Sequence, residues 1–73
     1  MRLYEITNRN KRYTFDIDSI DALVLGDGSV PIKQANSVRV YCGNYDFTLL
    51  FDNDSEAMST YEHIKLSMQT PRR

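Results

Sequence analysis

The sequence predicts an α+β fold: a small antiparallel β-sheet of four to five strands with one C-terminal α-helix packed on one face. Three observations carry this prediction. Residues 12–17 alternate between polar and apolar, the period of a sheet with one buried face. Residues 37–42 and 45–51 flank Gly43-Asn44, a two-residue hairpin signal. From Asn53 onward the apolar spacing changes to that of a helix carrying a single apolar stripe.

The elements follow in order. Residues 2–6 contain Tyr4 and Ile6 in a short alternating run and read as a first strand, with Leu3 and Tyr4 expected on the side of the sheet away from the helix. Residues 7–11 are polar and hold two asparagines, which makes them a turn. In residues 12–17, Tyr13, Phe15 and Ile17 share one face of a second strand. Asp18-Ser19 breaks the pattern as a bend, and residues 20–25 resume it as a third strand. The second half of that strand is apolar on both faces, as in a central position. Gly26-Asp27-Gly28-Ser29 is a loop, because both glycines adopt positive φ at little cost. Val30-Pro31-Ile32 suggests a short return strand, confined to an edge because Pro31 has no N–H.

The Gly43-Asn44 loop sets Cys42 opposite Tyr45, Val40 opposite Phe47 and Val38 opposite Leu49, all on one face. Arg39, Tyr41, Asp46, Thr48 and Leu50 fall on the other. A slip of one residue would bury Arg39 and Asp46, so the pattern selects this pairing. Asn53 and Glu56 form a capping box, and Asp54 adds negative charge where the helix dipole favours it. Ala57, Tyr61, Ile64 and Met68 make the apolar stripe, with Met58 beside it. Pro71 is expected to end the helix before a basic tail, Arg72-Arg73.

Seventy-three residues are expected to form a single domain over 1–73. Nine basic against ten acidic residues leave a formal charge of -1, which supplies no general attraction to nucleic acid or to an anionic membrane. The longest apolar run, residues 22–25, is far short of the roughly 20 that a spanning helix needs. The single cysteine, Cys42, excludes an intrachain disulfide and suits a cytoplasmic location.

Four groups of residues invite chemistry. Asp16, Asp18 and Asp21, with Asp27, suggest a cation, but an EF-hand loop starting at Asp16 would put Ile20 and Asp21 where an oxygen ligand and a glycine belong. They read as a solvated acidic rim, and no metal is expected. Cys42 and His63 lack a third group to orient them, so neither catalysis nor a cofactor is expected. Arg9, Lys11 and Arg12 cluster at a hairpin tip, where arginine forks suit an anionic, nucleotide-like ligand. Arg39, Tyr41, Asp46 and Leu50, with Asp27 in the glycine loop, lie where one helix cannot cover them and are the expected partner-binding residues.

The strand, bend, strand, loop, hairpin and helix order resembles that of short phage- or mobile-element-encoded proteins and of PH-type sheets ending in one helix. Phe15-Asp16-Ile17-Asp18-Ser19-Ile20 and residues 51–68 carry this likeness, and it transfers no functional residue. The expected function is a non-enzymatic interaction module, a homodimer or small oligomer, that occludes or titrates a protein partner as small inhibitors do. The alternatives are an oligomer binding an anionic small ligand and, less favoured, a nucleic-acid binder.

Overall fold

The computed structural model describes residues 2–69. Pro71 and the Arg72-Arg73 tail lie outside them. Leu3–Asn8 (β1) and Lys11–Asp16 (β2) form the first hairpin around Arg9 and Asn10, whose φ values are 51° and 68°. Two consecutive positive φ angles give a turn whose twist matches that of the strands. The register sets Tyr4 opposite Phe15 and Ile6 opposite Tyr13, so these four side chains share one face.

The hairpin ends at Asp16. Its carboxylate accepts the main-chain N–H of Asp18 at 3.0 Å and the Ser19 hydroxyl at 3.1 Å. It also accepts the N–H of Arg2 at 3.1 Å. The Asp18 bond foremost holds this carboxyl below its ordinary 3.8. Such local bonds compete with a strand ladder, and Ile17–Ser19 winds into a 3-10 turn. Ile17 therefore leaves the strand expected to contain it, yet remains buried.

The turn re-aims the chain. Ile20–Leu25 (β3) pairs with Ser37–Cys42 (β4), which pairs with Tyr45–Leu50 (β5). The result is two antiparallel sheets, β1-β2 and β3-β4-β5, where the sequence suggested one. A bulge between Ile20 and Ala22 frees Asp21, whose carboxylate accepts the Gly43 N–H at 2.8 Å and ties down the β4–β5 turn. Gly43, at φ 57°, occupies the first central position of that turn, where glycine is favoured. Residues 30–32 do not form the return strand suggested by their sequence. Pro31 instead starts a 3-10 turn, Ile32–Gln34, and its carbonyl accepts the N–H of Gln34 at 2.8 Å.

The β4–β5 register matches the sequence expectation residue for residue. Val38, Val40 and Leu49 are fully buried on the inner face, while Tyr45 at the strand end stays 54% exposed. Asp54–Gln69 (α1) begins where the Asn53 side chain accepts the Glu56 N–H at 2.8 Å. Ala57 and Ile64 are fully buried, with Tyr61 and Met68 packed beside them. The helix lies against β3, β4 and the first 3-10 turn. The β1–β2 hairpin covers more of the same face, its Tyr13 and Phe15 rings lying 5.0 and 5.1 Å from Phe47. Tyr4, expected on the side away from the helix, also turns inward. Its ring is 5.5 Å from Phe15, and its hydroxyl meets His63 Nδ1 on the helix at 2.5 Å.

Asn8 joins the two sheets. Its amide donates to the Leu50 carbonyl at 2.8 Å, and its side-chain oxygen accepts the Leu50 N–H at 3.1 Å. One side chain thus satisfies both main-chain groups of Leu50 as a neighbouring strand would.

Two stability predictions follow from this packing. Ile64→Ala should lower the unfolding free energy by about 2–5 kcal/mol in urea titration, through lost burial and the cavity left behind. Asn8→Ala should lower it by about 1–3 kcal/mol by removing the acceptor of the Leu50 N–H and one of the two donors to its carbonyl, whereas Thr7→Ala should stay within about 0.5 kcal/mol.

Candidate functional site

Both covering elements are spent on the inner face, so the opposite face of β3-β4-β5 stays open. The register places Ala22 and Val24 of β3, Arg39 and Tyr41 of β4, and Asp46, Thr48 and Leu50 of β5 on it. Val24, 40% exposed, and Leu50, 49% exposed, are apolar groups left facing solvent.

Arg39 organises the centre. Its Nε donates to Thr48 Oγ1 at 3.1 Å and its Nη1 donates to the Tyr41 hydroxyl at 3.3 Å. The Asp46 carboxylate lies 3.8 Å from Nε. The hydrogen bond to Tyr41 is the main cause that raises the Arg39 pKa, with weaker support from Asp46 and Asp27. Arg39 is therefore a permanently charged, laterally held fork on an open surface. An exposed pair such as Arg39–Asp46 adds little stability, so the arrangement serves orientation more than folding.

The loop after β3 makes a wall beside it. Gly26 donates to the Ser37 carbonyl at 2.7 Å and adopts φ 85°. A Cβ there would come within 2.9 Å of the Ala35 Cβ, so close approach and positive φ both require glycine. Asp27 accepts the Ser29 hydroxyl at 2.5 Å and the Ser29 N–H at 2.9 Å, in that order the main causes that lower its pKa. Between this wall and the sheet runs a groove of about 470 Å³ bounded by Val24, Asp27, Val30, Ile32, Arg39 and Tyr41.

The structure thus brings Asp27, Arg39, Tyr41 and Asp46 to one region of the open face, with Leu50 at the far end of β5. The three tip residues Arg9, Lys11 and Arg12 sit together on the first hairpin, but two of them are engaged. Arg9 donates to Asp52 at 3.0 Å and to the Leu50 carbonyl at 3.2 Å, and Arg12 pairs with Glu5 at 3.1 Å. Cys42 and His63 have different partners. Burial pushes the Cys42 thiol up while Tyr45 bonds to it, and His63 meets Tyr4. Among the described residues no three His, Cys, Asp or Glu side chains converge as a metal site would require. Asp16 and Asp21 spend their carboxylates on main-chain donors, and Asp18 accepts from Arg2 Nε at 2.9 Å.

Sequence reasoning missed Val24, Val30 and Ile32 as parts of the groove. The signal for Val30 and Ile32 was an apolar pair around Pro31 directly after the glycine loop, which alternation rules read as a strand, and that for Val24 was a run apolar on both faces. No family model matches the chain, and no curated protein or solved structure shows significant similarity to it. No described helix is long and apolar enough to cross a membrane.

Gly26→Ala should destabilise the protein by about 1–3 kcal/mol, since the new Cβ meets Ala35 and the φ is unfavourable. The same change at Gly28, where a Cβ meets nothing within 4 Å, should cost less in paired thermal melts.

Proposed function

We propose that this chain is a non-enzymatic, cytoplasmic interaction module that associates with itself and binds a protein partner through the open face of β3-β4-β5, occluding it as small inhibitor or accessory proteins do. The observation that carries this reading is the Arg39 constellation, a guanidinium held by Thr48 and Tyr41 on a face that neither α1 nor the first hairpin covers. Arginine and tyrosine dominate the energetics of protein interfaces, because each offers a large flat surface with a polar end. Val24, Val30, Ile32 and Leu50 surround them with exposed apolar area. The reading as an anionic-ligand binder has less support, because Arg9 and Arg12 already face carboxylates.

A photo-crosslinking residue at position 41 in the native cell tests the reading. A protein adduct is expected there and not from position 14, on the solvent side of the first hairpin. Leu50→Asp should suppress the adduct while leaving the melting temperature close to wild type. With the adduct partner purified, Tyr41→Ala should weaken binding about 30-fold, the size of an interface hot spot. Added salt should weaken it only modestly, whereas a nucleic-acid complex would fall steeply. Equal adducts from both positions, or none from position 41, would overturn this reading.

A further inference from the structure

β5 is an edge strand, bonded only to β4. Cys42 and Tyr45 flank a two-residue turn, so they exchange hydrogen bonds, and the pattern alternates from there. Tyr45, Phe47 and Leu49 direct their main-chain groups to β4, while Asp46, Thr48 and Leu50 direct theirs away from it. Asn8 satisfies Leu50. No main-chain bond outside the ladder engages Asp46 or Thr48 among the described residues. A strand edge with free donors and acceptors is a template for another strand.

We propose that this edge pairs antiparallel with β5 of a second copy of the chain, with Asp46 opposite Thr48 of the partner and Phe47 opposite its own symmetry mate. The inference deepens the self-association in the reading above and rests on it. Two features select this register. Centring the axis on Asp46 would set two carboxylates directly against each other, which is destabilising. Centring it on Thr48 would require the Leu50 main chain of each copy, which Asn8 already occupies. Centring it on Phe47 uses only the free groups and avoids both conflicts.

Charge complementarity points to the same occupant. Arg39 already leans across β5 to Thr48, with Nε 3.1 Å from its hydroxyl oxygen, while its own Asp46 is a looser 3.8 Å away. In the paired register the partner's Asp46 stands directly beyond Thr48, in line with that guanidinium. The two-fold axis repeats the contact, so each copy offers one cation and one anion. On the inner face the half-buried Phe47 meets its mate in a pair without mutual main-chain bonds, where opposed side chains come closest. The two three-stranded sheets become continuous, and the two Arg39 faces lie side by side.

Sedimentation of Arg39→Asp and Asp46→Arg, singly and mixed, tests this assignment. In a homodimer of either variant both cross-copy contacts join like charges, and self-association should weaken at least about 10-fold. In the mixed dimer both contacts join opposite charges, so an equimolar mixture should recover the dimer mass. The wild-type protein gives an independent readout by hydrogen exchange. The Asp46 and Thr48 amides should be protected in concentrated solution and exposed on dilution, while the Phe47 amide stays protected throughout. A wild-type dimer with Asp46 and Thr48 unprotected, or one insensitive to both charge changes, would overturn the edge assignment and leave self-association standing. A wild-type monomer at about 1 mM would overturn both.

Discussion

Val38, Val40 and Leu49 lose all contact with water only because two elements from opposite ends of the chain share their cover. The helix supplies Ala57 and Ile64 over β3 and β4, and the first hairpin supplies Phe15 and Tyr13 around Phe47. Neither is wide enough alone, since one helix presents a single apolar stripe. The rest of the molecule is arranged around this division. The 3-10 turn at Ile17–Ser19 separates the hairpin from the larger sheet and lets it fold over the inner face. The Asn8 bridge then holds the tip of that hairpin at the end of β5.

The same division explains the sidedness of the surface. With hairpin and helix both on one side of β3-β4-β5, nothing in the described chain remains to cover the other. What stands there is polar enough to face water but ordered by mutual bonds among Arg39, Thr48 and Tyr41. Exposed ion pairs such as Arg12–Glu5 and Lys65–Glu62 contribute little to holding the fold. Stability therefore resides on the inner side, and the outer side is free to carry recognition. The Asn8 bridge bears on both, because it closes the fold and also limits the open edge of β5 to Asp46 and Thr48.

Local chemistry made several elements legible beforehand. The two-residue Gly43-Asn44 loop gave the register of β4 and β5 without error, because turn length and alternation impose the same pairing. The Asn53–Glu56 cap and the Ala57–Ile64 spacing located the helix and its buried side. Ile17 shows where such reading stops. Its burial followed from alternation, but its conformation did not, since the bonds to Asp16 outweigh the strand pattern at that point. Tyr4 shows a second limit, because period two says which residues share a face and not which face meets the core.

By itself, then, the sequence determined the five strands, the β4–β5 register, the capped helix and the clustering of Arg39, Tyr41 and Asp46 on one sheet face. These depend on neighbours a few residues apart, whose geometry is set by the backbone period. Only the tertiary structure decided that the strands divide into two sheets, that the hairpin shares the core with the helix, and that Asn8 reaches Leu50 across 42 positions. It also decided that Arg9 and Arg12 face carboxylates instead of open solvent. Those outcomes turn on how apolar faces from distant segments compete for the same burial, a competition that no local spacing encodes.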